Sequence, residues 1–255
     1  MPVTEKNVRE AMLTGQIGFA VQPILDARNG NAIGAEALSR WNGEGLESPS
    51  VDSQYLTQYC KLEWQEPYRS ALLEQKISIA DQLRRRGLTA FFNFVTETLL
   101  IDECWEFIQR RVTDNAAQFA DVVIELSELS VFDISHAERA KSLDRLKHLR
   151  LLAPQLRFAL DDFGSGLNNF DRLKTWDISI LKLDKTLIRD IDRDTKTQSI
   201  LRNLKSMACD LNVSLIAEGV ETLEEESALI ELGIYFQQGF FRAPPMAIEH
   251  LPSSA

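Results

Sequence analysis

Two charged side chains, Glu36 and Arg40, interrupt the apolar segment "NAIGAEALSRW" at residues 31–41. In a β-strand alternate side chains point to the same face, so both would share a face with Leu38. Burying an ionised side chain costs roughly several kcal/mol unless a partner compensates it. The two residues therefore either form an internal salt bridge or bind something that is not protein.

Further polar side chains stand near the ends of other short apolar runs. They are Asn93, Glu125, Asp161, Asp162, Lys182, Asp184, Glu218 and Gln238. Taken singly, Asn93 could cap the helix that follows it, and Lys182 could pair with Asp184, two residues away on the same face. Because separate buried pairs would cost free energy at several strands without a common purpose, one shared site is the better interpretation.

The residue types favour hard divalent cations. Glu36, Asn93, Glu125 and Asp161 offer oxygen ligands that suit Mg²⁺ or Mn²⁺, whereas zinc favours histidine and cysteine. Asp161, Asp162 and Glu218 could hold a second ion. Two ions about 3.5–4 Å apart activate water and neutralise charge that develops on a transferred phosphorus atom.

Two basic residues complete this chemistry. Lys182 could hold or deprotonate the water, and we expect its pKa to fall because cations would surround it. Arg40 is suited to grip a phosphate. The stretch "DDFGSGLNNF" at residues 161–170 predicts a flexible loop that closes over a ligand. Glu218 and Glu221 flank Gly219, which permits a close backbone approach.

These residues need a scaffold that brings many strand ends together. The apolar runs predict eight strands, at residues 18–25, 33–41, 89–95, 121–126, 157–161, 178–184, 213–217 and 235–239. Helical patterns are predicted at residues 4–14, 65–86, 97–111, 135–152, 193–211 and 222–232, with Thr4 as an N-cap. This alternation predicts a (β/α)8 barrel, whose active face is formed by the carboxyl ends of its strands.

The first two predicted strands depart from a regular barrel. The segment "DARNGNA" joins them and contains Asn29-Gly30, a strong signal for a hairpin. We therefore expect an α/β fold of the modified TIM-barrel type, with an antiparallel strand supplied by an N-terminal hairpin.

Composition limits the classes of partner. The 255 residues, of which 44% are hydrophobic, suit one barrel domain over residues 1–255, and a net charge of −10 disfavours binding to DNA. Three cysteines without a CxxC spacing suit a reducing cytoplasm. No apolar run approaches the roughly 18 residues of a membrane span, and the N-terminal residues lack the apolar core of a secretory signal.

Six separated motifs carry a family resemblance. They are "EALSRW", "IELSE", "DDFGSG", "LKLD", "IAEGVET" and "QGFF", and their order and spacing resemble those of the EAL-domain family over residues 15–246. The resemblance implies a modified TIM barrel. It also implies hydrolysis of the bacterial messenger cyclic di-GMP to linear pGpG through two-metal activation of water, with Mg²⁺ or Mn²⁺.

The resemblance also assigns roles to positions. The residues that match ligands of the first metal are Glu36, Asn93, Glu125 and Asp161. Those that match the surroundings of the second metal are Asp161, Asp162 and Glu218. Lys182 matches the lysine beside the nucleophilic water. Positions that contact guanine or phosphate, or that arrange nearby waters, are matched by Gln22, Arg40 and Gln238. Glu128 matches the glutamate that anchors the loop after strand five, and Asp184 and Glu221 match supporting acids.

Two segments depart from the family pattern, at residues 49–65 and 165–169. These departures leave an alternative open, in which the barrel is a cyclic di-GMP receptor or a protein-binding regulator with weak or no turnover. A barrel that acts on another phosphodiester would explain the acids but not the ordered motifs. The resemblance further implies a homodimer and an attached or separate sensory domain.

Overall fold

The computed structural model describes residues 4–41, 65, 67–94, 96–126, 135–165 and 169–251. Eight strands close into a barrel in chain order. Their bounds are β1 Ile17–Asp26, β2 Asn31–Trp41, β3 Thr89–Phe94, β4 Val122–Leu126, β5 Arg157–Phe163, β6 Ile180–Leu183, β7 Ser214–Glu218 and β8 Phe236–Gln238. The expected modified TIM barrel is confirmed, and each strand lies close to its predicted position.

The first two strands form the predicted antiparallel hairpin. Its register pairs Gln22 with Glu36 and closes at Asp26 opposite Asn31. Gly30 has a φ of 76° and donates its N–H to the Asp26 carbonyl at 2.8 Å. β1 also pairs antiparallel with β8, whereas the neighbouring pairs from β2 to β8 are parallel. The hairpin therefore reverses one strand of an otherwise parallel barrel.

Helices cover the outside of the strands. Their bounds are α1 Glu5–Leu13, α2 Tyr68–Arg84, α3 Asp102–Asp114, α4 His136–Leu152, α5 Asn169–Thr175, α6 Lys185–Ile188, α7 Thr195–Asp210 and α8 Leu223–Glu231. Short 3₁₀ helices lie at Thr96–Leu99, Ala116–Phe119 and Ile248–His250. Thr4 is the N-cap of α1, as predicted, and Ser135 and Thr222 form the capping boxes of α4 and α8. No helix in this part of the chain is both long and apolar enough to cross a bilayer.

Two helices were not predicted, and one starts later than predicted. α5 and α6 are short, with seven and four residues, so neither develops a clear amphipathic period. The helix expected from residue 97 is divided, because a 3₁₀ helix ends at Leu99 and α3 begins at Asp102.

The barrel interior is filled by two layers of side chains. The lower, apolar layer consists of Ile24, Phe91, Val123, Ala159, Ile180 and Ile216, with Ile33 and Phe236 packed against it. Two residues further along β3 to β8, the same face carries polar side chains. In β1 the polar residue Gln22 precedes Ile24, because that strand runs in the opposite direction. A larger apolar cluster fills the space between the strands and the outer helices.

Candidate functional site

The upper layer of the barrel gathers polar side chains from all eight strands. We call this set the polar layer: Gln22, Glu36, Asn93, Glu125, Asp161, Lys182, Glu218 and Gln238. Strand alternation places each one above the apolar layer, at the carboxyl ends of the parallel strands. The polar layer thus contains Lys182 and every residue that the sequence assigned to a metal site except Asp162.

Lys182 lies at the centre of the polar layer, and its side chain is 1% exposed. Its Nζ lies 2.5 Å from Glu125 Oε1, 2.6 Å from Glu218 Oε1 and 3.1 Å from Asp161 Oδ1. A fourth carboxylate, that of Glu36, lies 3.3 Å away through Oε2. The alternative pairing of Lys182 with Asp184 is wrong, since Asp184 instead accepts hydrogen bonds from the backbone N–H and the hydroxyl of Thr186.

Glu36 is held by neutral amides as well as by Lys182. Asn93 Nδ2 donates to Glu36 Oε1 at 2.6 Å, and Gln238 Nε2 donates to Oε2 at 2.9 Å. Burial acts to raise the pKa of Glu36, but the Lys182 charge and these hydrogen bonds outweigh burial and lower it. The amide of Asn93 is thus directed at Glu36, although the residue itself is exposed.

Arg40 is not the partner of Glu36. Its guanidinium donates to the Ser39 carbonyl at 2.8 Å, and among the described residues no carboxylate lies within ion-pair distance of it. The internal salt bridge is therefore wrong as an account of these two residues. Arg40 remains available to a ligand at the barrel mouth.

A break in β5 brings two adjacent aspartates to one place. Neighbouring residues on a regular strand point to opposite faces, so Asp161 and Asp162 should diverge. The β5–β6 register shifts between Leu160 and Phe163, and Asp162 adopts a φ of 53°. As a result one oxygen each of Asp161, Asp162 and Glu218 lies within 4.8 Å of the others. These are the three residues that the sequence assigned to a second ion.

Glu125 is buried, and within the described part of the chain neither of its carboxylate oxygens accepts a hydrogen bond. Its contact with Lys182 has the distance but not the angles of one. Burial, followed by repulsion from Glu36, raises its pKa well above the ordinary value. Asp161 Oδ1 and Gln238 Oε1 also lack hydrogen-bond partners. Buried acceptors of this kind fit ligation of a hard cation.

The net charge of the site is negative. We call Glu36, Glu125, Asp161, Asp162 and Glu218 the acid cluster. Burial and the charge of Asp161 raise the pKa of Asp162 to about 6. Burial raises the pKa of Glu218 to about 8, against the opposing charge of Lys182. When all are ionised, the five carboxylates of the acid cluster exceed the single ammonium of Lys182 by four charges.

The carboxylates around Lys182 raise its pKa, and the expected fall, which depends on cations beside this lysine, stays a prediction. Burial acts to lower the pKa, but Asp161, Glu125, Glu218 and Glu36 raise it well above the ordinary value. The sequence-based expectation placed cations next to this lysine. In the structure its neighbours are carboxylates, so its charge is stabilised.

The remaining assigned residues lie around this centre or outside the described residues. Gln22 is buried, accepts from Gln238 Nε2 at 3.2 Å and donates to the Ala243 carbonyl at 3.1 Å. Glu221 is exposed, three residues beyond Glu218. Glu128, residues 166–168 of the predicted loop, and the departing segment at residues 49–65 apart from Gln65 lie outside the described residues.

Sequence reasoning missed two buried acids in the first turn of α8, Glu225 and Glu226. Glu225 is buried in the first turn of α8 and accepts three backbone N–H groups. The signal was present, because Thr222 followed by Glu three residues later is the spacing of a capping box. The sequence therefore predicts the capping box at Thr222, but it does not predict the hydrogen bond from the Asp190 N–H to Glu225.

Comparison with known sequences identifies related proteins. The sequence model of the EAL domain matches residues 5–245. Cyclic di-GMP phosphodiesterase RocR of Pseudomonas aeruginosa is 30% identical over 251 residues, covering 96% of this chain and 61% of RocR. Cyclic di-GMP phosphodiesterase PdeR of Escherichia coli is 28% identical over 246 residues, covering 95% of this chain and 36% of PdeR. The chain thus spans less than two thirds of both relatives.

Solved structures share the fold. The PaMucR phosphodiesterase, in complex with cyclic di-GMP, matches with a TM-score of 0.78 and 25% identity, covering 97% of this chain and 98% of that one. BlrP1 of Klebsiella pneumoniae, in complex with manganese and cyclic di-GMP, matches with a TM-score of 0.73 and 26% identity, covering 91% and 56%.

Proposed function

The chain belongs to the EAL domain family, and on that basis we propose that it is a metal-dependent phosphodiesterase that hydrolyses cyclic di-GMP to linear pGpG. RocR and PdeR are named for this substrate, and the structure of PaMucR contains it. The observation that carries the proposal is the acid cluster, in which Asp161, Asp162 and Glu218 converge beside Lys182. When its five carboxylates are ionised, the acid cluster exceeds the charge of Lys182 by four, which two divalent cations would neutralise.

The acid cluster would hold Mg²⁺ or Mn²⁺ in two positions. Glu36, Asn93, Glu125 and Asp161 would ligate one ion, and Asp161, Asp162 and Glu218 would ligate the other. The unpartnered oxygens of Glu125 and Asp161 fit this assignment. When bound, such ions supply Lewis acidity and lower the pKa of a coordinated water.

The side chains of the site have separate tasks in the proposed reaction. Water attacks phosphorus, the bond from phosphorus to one ribose 3′ oxygen breaks, and that oxygen leaves with a proton. Lys182 would hold the attacking water next to the phosphate through its ammonium, which four carboxylates keep in place. Arg40 would bind a non-bridging phosphate oxygen through its guanidinium. Gln22 and Gln238 would orient Glu36, because they form a hydrogen-bonded chain that ends on its carboxylate.

The test is hydrolysis of cyclic di-GMP by the purified protein, with the product resolved by chromatography. Reactions contain Mg²⁺, Mn²⁺ or EDTA, and Glu36→Gln is compared with Glu231→Gln, an exposed residue of α8. We expect pGpG with either metal, none in EDTA, and a loss of at least about 100-fold for Glu36→Gln. Full activity in EDTA would contradict the metal-dependent mechanism.

The same assay separates the alternatives. Binding of cyclic di-GMP without turnover by the folded protein would replace the enzyme with a receptor. Turnover of linear pGpG or of a generic aryl phosphodiester at a rate equal to that of cyclic di-GMP would indicate a different phosphodiester substrate.

We also propose a homodimer of single-domain barrels that acts in the cytoplasm, with a sensory domain attached or separate. The sensory domain is supported by RocR and PdeR, which are longer than this chain, whereas the dimer and the location follow from the family resemblance alone. Analytical ultracentrifugation of the purified chain at micromolar concentration tests the dimer, and a monomer at all concentrations would contradict it.

A further inference from the structure

The first turn of α8 carries a buried carboxylate that joins two segments of the barrel mouth. Glu225 Oε2 accepts the N–H of Glu221 at 2.8 Å and that of Thr222 at 3.2 Å, both in the loop after β7. Its other oxygen, Oε1, accepts the N–H of Asp190 at 3.2 Å. Asp190 follows α6 in the segment after β6. One side chain therefore links the segments that follow two adjacent strands.

The next residue, Glu226, links α8 to the segment that follows β8. Glu226, which is 3% exposed, receives hydrogen bonds from Arg242 Nε at 2.6 Å and from Arg242 Nη2 at 2.5 Å. Arg242 lies four residues after Gln238, in the segment that follows β8. We call Glu225 and Glu226 the α8 clamp, since together they hold the segments after three consecutive strands.

The clamp lies where the barrel ladder stops. The pairing of β6 with β7 ends at Leu183 and Ala217, and that of β7 with β8 ends at Glu218 and Gln238. Beyond these residues the strand ladder no longer fixes the spacing of the segments after β6 and β7, whereas the backbone bonds from Val220 to Gln238 and from Phe241 to Val220 still join the segments after β7 and β8. Lys182, Glu218 and Gln238 stand at or next to this limit.

Helix capping does not account for these contacts. A capping box needs one bond from the third helical residue to the N-cap N–H, which Glu225 makes to Thr222. The bond to Asp190 reaches a different segment of the chain. Glu226 lies one position later and bonds to a third segment. Each carboxylate is buried, so its position is set by these partners and not by solvent.

We propose that Glu225 and Glu226 are positioning residues that keep Lys182, Glu218 and Gln238 at their working distances. This inference rests on the proposed function, because the distances matter for metal binding and for phosphodiester hydrolysis. Among the described residues neither carboxylate bonds to the acid cluster, so Glu225 would act through the backbone N–H groups that it accepts and Glu226 through the side chain of Arg242. Displacements of about 1 Å at a reacting centre can cost about 100-fold in rate.

The variant Glu225→Gln distinguishes the capping bond to Thr222 from the hydrogen bond to Asp190. Glutamine keeps one oxygen, which can still accept the N–H groups of Glu221 and Thr222, but it presents an NH₂ group to the N–H of Asp190. The link is lost while the cap is retained. Glu226→Gln removes the negative charge that Arg242 faces and replaces one of the two accepting oxygens with an NH₂ group. The matched control is Glu224→Gln, an exposed residue in the same turn.

Three measurements are made on each variant: Mn²⁺ affinity by titration, amide hydrogen exchange at residues 185–190 and 219–222, and steady-state kinetics with cyclic di-GMP. For Glu225→Gln and Glu226→Gln we expect Mn²⁺ affinity and kcat to fall about tenfold, with KM changed less than about twofold. Exchange at Asp190 should become faster in Glu225→Gln only. Glu224→Gln should match the wild type in all three.

The proposal is overturned if Glu225→Gln keeps the Mn²⁺ affinity and the kcat of the wild type while Glu225→Ala has a lowered melting temperature. Glu225 would then be a helix cap and nothing more. Failure of the proposed function has a different signature. In that case the wild type itself shows no turnover, and Mn²⁺ affinity and hydrogen exchange decide the role of the clamp.

Discussion

Lys182 is the residue on which the electrostatics of the site depends. It is fully buried, and four carboxylates lie within 3.3 Å of its Nζ. A buried ion costs free energy that its partners must offset, and removing one partner leaves an uncompensated charge. Because this lysine serves four carboxylates at once, its loss affects all of them.

We expect Lys182→Met to destabilise the protein by about 3–5 kcal/mol at pH 7 in EDTA, the cost of breaking a buried ion pair. Mn²⁺ should restore part of this loss, since a cation replaces the missing positive charge. The measurement is urea denaturation with and without Mn²⁺, and Lys185→Met, an exposed lysine in α6, is the control. Stability equal to the wild type in EDTA would show that the carboxylates do not depend on Lys182.

At the scale of elements, the ends of β7 and β8 are locked together by close backbone packing. Val220 donates its N–H to the Gln238 carbonyl at 3.1 Å, and its own carbonyl accepts the N–H of Phe241 at 3.1 Å. A Cβ atom added to Gly239 would lie 2.0 Å from the Val220 carbonyl oxygen and 2.4 Å from its nitrogen. Only glycine fits at this position unless the backbone of one strand end moves.

Gly239→Ala should therefore destabilise the protein by about 3 kcal/mol, near the upper end of typical costs of overpacking. It should also lower kcat, because a displaced β8 end moves Gln238 away from Glu36. The control is Gly15→Ala, where φ is 71° and no atom lies within 4 Å of the added Cβ. That variant should cost about 1 kcal/mol from backbone strain alone and leave kcat unchanged. Equal effects of the two substitutions would refute the packing argument.

For the whole molecule, the acid cluster makes folding stability depend on pH and on divalent cations. The pKa of Glu218 is raised to about 8 and that of Asp162 to about 6, mainly by burial. The folded state then binds more protons than the unfolded state above the ordinary carboxylate pKa values. Stability must fall as pH rises through this window. The lowered pKa of Glu36 acts in the opposite sense, but its effect is complete once the pH exceeds the ordinary glutamate value.

In EDTA we expect the free energy of unfolding to decrease as the pH is raised from about 5 to 8. Glu218→Gln should flatten the upper part of that decrease, because the group no longer titrates. Mn²⁺ should raise stability most at the high-pH end, where the carboxylates are ionised. The checks are denaturation curves at several pH values with Mn²⁺ or EDTA. Stability in EDTA that rises over this interval would contradict the assignment.

The sequence by itself determined the strands and the residues of the polar layer. Strand alternation has a period of two, so Glu125 shares a face with Val123, and Lys182 shares one with Ile180. Asn29-Gly30 determined the hairpin in the same local way, because that turn needs a backbone conformation which glycine adopts freely. The six motifs added the family, which the match over residues 5–245 establishes.

Only the tertiary structure decided which members of the polar layer are partners. Barrel closure and strand stagger bring Lys182 against four carboxylates from four other strands, and nothing local in the sequence encodes those distances. The register shift in β5, with Asp162 at a φ of 53°, places two adjacent aspartates together against the alternation of a regular strand. The bond from Glu225 to Asp190 likewise joins residues 35 positions apart. These features are contacts between segments that are distant in the chain, and they form only when the barrel closes. Local sequence pattern carries no information about such contacts.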